Sequence, residues 1–523
     1  MRSAVLGLVL LIAPILACAS PAPARRDVVI AIVGEPSSVF ADDPGARVIA
    51  AAVTEPLIAA DPRGELIPRL AAEVPTIENG GLRILADDPA APGGRLVATF
   101  RLRDRLVWQD GEPITAADIR YAHDVDAAMA QGTELRFIAD RVDAVDVIDD
   151  RTVRVSYRMG ERWDGYALAL RVLPRHILQN ADVAKRTAYE REPVHAGPFS
   201  VAAWVQGYGV TLAAFKDHVG GAPALGRLEI RFFPDRSAVL DALRRGLVDV
   251  APSPDLEADL ARTLDRFADA NKLDLIYTAA EAMDDLRFAP RGKFAERAVR
   301  TAIELAVDRQ GIVDDVFAGR ARVPRSYLVP PLWASAENAP PVRVDRDAAR
   351  ALLAQAGYRH GAYGILEREG DRMTATIVVA AGSAGRLDAA HRVAGDLAVL
   401  GIAVDVRARP LAEVEALIAK GDFDLALVPE DADDPARASE RWRGLVDPWF
   451  DILSDAARAA SGREEKRPLY AELQRIWSDA RPALPLYQRL RIDVAIRTLA
   501  GIQAPPSDTA LTWNAAEWRF QAP

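Results

Sequence analysis

The sequence predicts an α/β protein built from several domains, and three observations carry that expectation. At 523 residues the chain is too long for one compact core and corresponds to about three domains. Half of its residues are apolar and 27% are charged, which is ordinary globular chemistry without a disordered or collagen-like bias. Segments with strand periodicity and segments with helical periodicity are mixed along the chain, with no strict strand–helix–strand period and no internal repeat.

In order, residues 28–33 (VVIAIV) form a continuous apolar run, as a buried strand does. Gly34-Glu35-Pro36-Ser37-Ser38 breaks it. Residues 97–103 (VATFRLR) largely alternate, as in a half-exposed strand, and Gln109-Asp110-Gly111-Glu112-Pro113 is a turn. Thr115 and Asp118 resemble a capping box that opens a helix through Ile119, Val125 and Met129. Residues 145–157, turning at Asp149-Asp150, predict a hairpin; a second strand pair begins at Gly197-Pro198-Phe199 and turns near Gly207. Ser237 is expected to cap a helix bearing Leu240, Leu243 and Leu247, with Gly246 near its end. Val299, Ala302, Ile303, Ala306 and Val307 make one apolar stripe at helical spacing, and a short helix with Ile312, Val313, Val316 and Phe317 stops at Gly319. Asp345 caps a helix ended by Gly357, and Pro468, read as part of a first turn, precedes Leu469, Leu473 and Ile476 in a late helix.

Ahead of these elements lies the one strongly apolar run. Arg2 gives a short positive start, and residues 4–17 (AVLGLVLLIAPILA) carry no charge, which fits the apolar part of a secretory signal. A membrane-spanning helix needs about 20 residues, and Pro14 interrupts this run. It ends Ile15-Leu16-Ala17-Cys18, which resembles a bacterial lipoprotein cleavage box. Residues 1–17 are then a signal peptide, and Cys18 accepts a lipid and becomes the new amino terminus. Residues 18–26 are a Pro-rich tether. Several acyl chains, at roughly 0.8 kcal/mol per buried methylene, would hold the protein stably on a membrane.

The composition also excludes chemistry. Lys and Arg number 65 and Asp and Glu 75, for a formal charge of −10. So acidic a chain repels a phosphate backbone, and no nucleic-acid partner is expected. One cysteine rules out an intramolecular disulfide and a Cys-rich metal site. The six histidines (123, 176, 195, 218, 360 and 391) include no pair one helical turn apart that would grip zinc. There is no G-x-S-x-G elbow and no G-x-x-x-x-G-K phosphate cradle; Gly207-Tyr208-Gly209 lacks the third glycine of a dinucleotide fingerprint. No catalytic residue, metal or cofactor is expected. The acidic stretch Glu430-Asp431-Ala432-Asp433-Asp434-Pro435 lacks the glycine of a calcium loop and, on the residues alone, is a solvated loop.

An ordered set of segments resembles the family 5 extracellular solute-binding proteins of bacterial ABC importers, the oligopeptide- and dipeptide-binding group. It begins with Thr54-Glu55-Pro56-Leu57-Ile58 and Pro68-Arg69-Leu70-Ala71. The strongest match is Thr99-Phe100-Arg101-Leu102-Arg103 running on through Trp108-Gln109-Asp110-Gly111-Glu112-Pro113 to Asp118. Gly197-Pro198-Phe199 with Trp204 and Gly207, then Leu243-Arg244-Arg245-Gly246-Leu247-Val248-Asp249, follow. Val299 to Val313, Ala348 to Tyr358 and Ala483-Leu484-Pro485-Leu486-Tyr487 complete the series. Most of these are turn glycines, caps and core stripes, and Trp108 and Trp204 are read as packing residues.

The resemblance implies a periplasmic-binding-protein-like fold of two lobes and three domains, with a ligand cleft and a hinge. The implied domains are a discontinuous first (27–55, 190–281 and 490–523), an inserted second (56–189) and a third (282–489). In peptide-binding relatives a carboxylate four residues before the proline of a D-x-x-D/E-P segment receives the ligand ammonium, which cannot be buried unpaired. That position is Asp431 here, ahead of Asp434-Pro435. The relatives' tryptophan three residues upstream is Val428, and Pro429-Glu430 replaces a small neutral pair. Glu35, Ser37, Trp442 and Trp449 are further candidates for lining the cleft. The implied function is a monomeric, lipid-anchored receptor that captures a peptide or peptide-like solute and passes it to an ABC permease in the cytoplasmic membrane, with no covalent step. Two other readings stand beside it: an exported hydrolase using an unrecognised carboxylate pair, and a surface sensor that kept the fold but lost transport.

Overall fold

The computed structural model describes residues 27–85, 95–129, 138–157, 164–168, 170–252, 261–330, 332–336, 343–431, 434–460, 462–506 and 509–521. Cys18, the expected signal peptide 1–17 and the tether 18–26 lie outside the described residues. Among those described, no helix is long and apolar enough to cross a membrane.

Strands β1 (Asp27–Val33), β8 (Phe199–Val205), β9 (Gly209–Ala214), β10 (Arg227–Phe233) and β11 (Val250–Ala251) belong to one lobe. The same lobe carries β2 (Ile58–Ala60), β3 (Leu66–Pro68) and the antiparallel sheet of β4 (Leu82–Leu85), β5 (Arg95–Arg101), β6 (Val142–Asp149) and β7 (Thr152–Tyr157). The other lobe holds the short meander β13 (Arg359–His360), β14 (Leu366–Arg368) and β15 (Asp371–Arg372), together with β16 (Thr374–Ala380), β17 (Ala403–Arg409) and β18 (Leu425–Asp431). Two long strands, β12 (Leu273–Phe288) and β19 (Ala483–Ile496), join the lobes. They place ten strands in one sheet of order β17-β16-β18-β12-β19-β11-β1-β10-β9-β8, while β2–β3, β4–β7 and β13–β15 form separate small sheets.

β12 and β19 are antiparallel partners along their length, but each has its other neighbour over only part of it. The end of β19 pairs with β11 in the first lobe (Val250 with Ala495). The second half of β12 pairs with β18 in the other (Ala282 with Asp431, Phe288 with Leu425). Between them the register slips from Ala279–Leu490 to Met283–Gln488. A bulge of this kind bends and twists the strands it interrupts, and here it lies where the sheet passes from lobe to lobe.

Four local expectations change. Asp235, not Ser237, caps the helix Arg236–Arg244, its carboxylate accepting from the Ala238 N–H at 2.9 Å. An Asp two residues upstream outcompetes the serine for the same free N–H groups. Leu247 then lies past the helix, half exposed. Pro468 sits inside the helix Gly462–Ala480, whose first turn carries Glu464 and Glu465. Met129 falls beyond the helix Ala116–Ala127, which is opened by the Thr115–Asp118 capping box.

The cores follow this organisation. One lies behind β4–β7 and includes Phe100, Trp108 and Tyr157. A second collects Ile30, Phe199, Leu228 and Trp518 from three distant stretches of chain. The largest lies beneath β12, β16 and β18, with Val299 and Ile303 of the helix Arg297–Ala306, yet also takes in Ala31, Leu243 and Leu264 from the first lobe. Apolar packing is thus continuous on one face of the crossing.

Candidate functional site

The strand register shows where the strand ends of the two lobes converge. Ile30 is level with Val250, Val250 with Ala495, and Ala495 with Asp274, so β1 runs toward the bulge and its carboxyl end approaches it. β18 is antiparallel to β12 and ends with Asp431 opposite Ala282, so its carboxyl end meets the bulge from the other side. β16 is parallel to β18 and also points there. In open α/β sheets ligands bind outside the carboxyl ends of the strands; here two sets of carboxyl ends converge on one bulge.

Asp431 is the last residue of β18. Leu425 to Val428 are buried, which anchors the strand. Pairing with β16 stops at Leu427, so the missing N–H of Pro429 costs no ladder bond on that side. The Asp431 side chain is 73% exposed and is paired with the guanidinium of Arg489. Its backbone carbonyl accepts from Arg441 at 3.2 Å. Arg489 comes from β19, between Gln488 and Leu490, within the bulge. Its Nε is 4.0 Å from a carboxylate oxygen of Asp284, which is 1% exposed. Asp284 accepts from Arg386 Nε at 2.7 Å and Nη2 at 3.3 Å, and from the Tyr487 hydroxyl. Burial, then the Asp284 charge, push the Tyr487 hydroxyl well above its ordinary pKa, so it stays a donor.

Glu430, the departure noted beside Asp431, is 4% exposed and bonded to Arg287 and Arg441. A carboxylate can be buried there only because two guanidiniums compensate it. Asp285 lies on the same face, fully buried, with Arg287 Nε at 3.6 Å and its carboxyl pushed up to about 6, by burial above all.

The remaining candidates are placed as follows. Asp434 caps the helix Pro435–Glu440, accepting from the Arg437 N–H at 2.8 Å. Trp442 is 3% exposed, packed edge-on to Trp477 at 5.4 Å with Arg287 over its ring, in a core rather than on an open surface. Trp449, in the first turn of the helix Pro448–Ala459, is 53% exposed, beside exposed Leu445 and Ile452. Glu35 follows β1 and accepts from Trp204 Nε1 and the Gly207 N–H, both at 2.8 Å, which ties the β8–β9 hairpin to the end of β1. Ser37 is exposed, and its carbonyl accepts from Arg191 at 3.4 Å. Arg489, Asp284 and Arg386 were not singled out from the sequence; each is one acid or arginine among many, brought to the bulge by long-range pairing.

The fold and this convergence of strand ends are those of a two-lobed protein whose lobes share a pair of bulged strands. A profile of the bacterial extracellular solute-binding proteins, family 5 (middle region), matches residues 68–444, and the chain belongs to that family. It is a binding protein, not an enzyme. The oligopeptide-binding protein AppA of Bacillus subtilis is 25% identical over 77% of this chain and 77% of its own length. A structure of AppA from Bacillus subtilis in complex with a nonapeptide matches with a TM-score of 0.61 at 21% identity, covering 96% of this chain and 100% of that one. NikZ from Campylobacter jejuni, in complex with Ni(L-His), matches with a TM-score of 0.68 at 21% identity, covering 95% and 99%.

Proposed function

We propose that this chain is the extracytoplasmic receptor of an ABC importer, lipid-anchored through Cys18, and that it takes peptides or peptide-like solutes into the crevice at the bulge. The carrying observation is the convergence of two sets of strand ends on the β12–β19 bulge, with Asp431 and Arg489 at its edge. In this reading the domains are 27–55 with 190–281 and 490–523, then 56–189, then 282–489, and the bulge is the hinge on which the lobes close. AppA, named for oligopeptide binding, supports the peptide class; NikZ, bound to a histidine complex of nickel, shows that the fold also serves ligands other than peptides. Asp431 receives the solute ammonium. Glu35 acts here by holding the β8–β9 hairpin at the crevice, and Trp449 offers an apolar surface.

Thermal-shift screening of free-amine peptides against amino-acetylated copies tests this reading, with native mass spectrometry of freshly purified protein to reveal any retained solute. Free-amine peptides are expected to raise the melting temperature and acetylated ones to have little effect. Equal stabilisation by both removes the role of Asp431; stabilisation by neither, with a non-peptide solute in the mass spectrum, removes the peptide class. Fatty-acid labelling of the Cys18→Ala variant against wild type tests the anchor.

A further inference from the structure

The sheet that joins the lobes is narrowest at the bulge. β12 is paired with β19 as far as Ala279–Leu490 and again from Met283–Gln488, so Ala280, Glu281 and Ala282 stand against Arg489 alone. Pairing with β18 begins only at Ala282, and β11 reaches β19 only at Val494 and Ala495. Ala280 and Glu281 therefore lie outside both ladders of β12. A main-chain carbonyl taken out of a ladder needs another donor. Gln488, 1% exposed, supplies one: its amide nitrogen donates to the Ala280 carbonyl at 2.8 Å. The same nitrogen donates to the Pro330 carbonyl, and the Gln488 main-chain N–H donates to that of Arg322 at 2.8 Å. Arg322 and Pro330 belong to the stretch 320–330, which follows the helix Arg309–Val316. Arg309 Nη1 donates to the carbonyls of Pro324 and Pro485 at 3.3 and 3.1 Å, which ties that stretch to β19. Tyr327, Leu328 and Val329 within it are buried in one core with Trp442, Phe450 and Trp477. One amide thus grips a packed part of the lobe that carries β18. From there it reaches across the interrupted register to the half of β12 that comes from the other lobe.

We infer that Gln488 is a positioning residue of the hinge: its side chain pins the bulge and so fixes how the two lobes are set against each other. Its bonds to Arg322 and Pro330 stay within one lobe and survive bending. The bond to Ala280 crosses the break in register, and it is the one that bending at the bulge must stretch. Buried as it is, Gln488 acts on binding through the population of lobe settings that a solute meets, not by contact with the solute. The inference rests on the hinge part of the reading above and is independent of the class of solute.

Distances between two spin labels, measured without solute, test it. The Cys18→Ala chain holds no other cysteine, so labels go on Thr187→Cys and Glu413→Cys. These are exposed positions in the helices Val183–Arg191 and Leu411–Lys420, one on each lobe. With Gln488 in place, one narrow population of distances is expected. Gln488→Met, which keeps the length of the side chain and loses its donors, should raise the share of other distances roughly 3–10-fold, the worth of one neutral hydrogen bond. Gln488→Asn, which keeps the donors on a shorter stem, should fall between. Gln474→Met is the control. Gln474 donates to the carbonyls of Ala334 and Tyr470 at 2.8 and 2.9 Å and accepts from the Ser326 hydroxyl and the Ala336 N–H, all on one lobe. Its loss should lower the melting temperature and leave the distances as they were. Arg463→Ala, which removes the bond to the Gly64 carbonyl, should also spread them, and melting curves show that each variant is folded. A broad distribution with Gln488 in place, or equal spreading in Gln488→Met and Gln474→Met, overturns the inference. If Arg463→Ala spreads the distances and neither Gln488 variant does, this inference falls alone. If none of the three does, the bulge is no hinge, and that part of the reading above falls with it.

Discussion

Two buried residues set opposite responses to acid. His195 is 6% exposed, and its Nδ1 accepts from the backbone N–H groups of Ala196 at 2.9 Å and Glu55 at 3.4 Å. An accepting Nδ1 carries no proton, and burial, with Arg171 adding repulsion, pushes the imidazole down to about 4. Between about pH 6.5 and 4 the unfolded chain takes up a proton that the folded one refuses, so this contribution falls on acidification, by about 3 kcal/mol in all. Asp285 behaves oppositely. Its carboxyl, pushed up to about 6, binds a proton in the folded state before the unfolded chain does at about 3.9, so stability rises by about 3 kcal/mol from pH 6 to 4. The two offset each other over nearly the same interval. His195→Gln should therefore gain melting temperature between pH 6.5 and 4.5 relative to wild type, and Asp285→Asn should lose it. Melting curves at the two pH values, compared as differences within each variant, remove the fixed cost of each substitution. A parallel response in all three proteins would show that neither group titrates in this window.

Around Glu55, Gln109 and Gly197 the motif residues bond to one another. Glu55 is 2% exposed and accepts from Arg69 Nε at 2.5 Å and from His218 Nε2 at 2.7 Å. Burial alone would raise its pKa, but those two hydrogen bonds outweigh it and hold the carboxyl below its ordinary value. The side chain of Gln109 donates to the carbonyls of Val53, Gly197 and Phe199 at 3.3, 3.1 and 2.7 Å, so one amide staples the outgoing and returning segments. Gly197 has no room for a Cβ, which would lie 2.3 Å from the carbonyl carbon of Val53. Glu55→Ala should destabilise the protein by about 3–5 kcal/mol, because Arg69 and His218 are left without their carboxylate in a buried place; a urea or thermal unfolding series measures this, and a loss below about 1 kcal/mol would mean the junction relaxes around water. These elements were legible because their signals are local: a cap before a helix, a glycine at a close approach, an acid and an arginine in one recurring pattern. Even so, Ser237 was mistaken for a cap because Asp235 competes for the same donors from two residues away. The pairing of β12 with β19 joins residues some two hundred positions apart, and no local period announces it. A motif marks Asp431 as a candidate, whereas an arginine in Leu486-Tyr487-Gln488-Arg489-Leu490 has nothing in its own neighbourhood to mark it.

At the scale of the whole molecule, the lobes also touch outside the bulge. The β2–β3 hairpin lies in the stretch proposed above as the second domain, and the helix Gly462–Ala480 in the stretch proposed as the third. Arg463 Nη1 donates to the carbonyl of Gly64 in that hairpin at 3.2 Å, while its guanidinium lies 5.3 Å over the ring of Trp333. The contact links residues 399 positions apart. Gly64 itself sits at φ 77°, a conformation that suits glycine. If the bulge is the hinge, the hydrogen bond to Gly64 exists only while the lobes are together and so adds to the closed form, whereas the stacking on Trp333 lies within one lobe. A ligand that binds the closed form then gains affinity from the hydrogen bond without touching Arg463. That hydrogen bond from a charged donor corresponds to roughly a 3–30-fold effect. Arg463→Ala should therefore weaken solute binding by about that factor, chiefly through faster dissociation, and enlarge the ligand-free radius of gyration in small-angle scattering. Arg463→Lys, which keeps the charge but loses the planar stacking, should fall between. Unchanged affinity and an unchanged radius in the alanine variant would mean that the contact closes nothing, and the lobes would then be held together by the bulged strands alone.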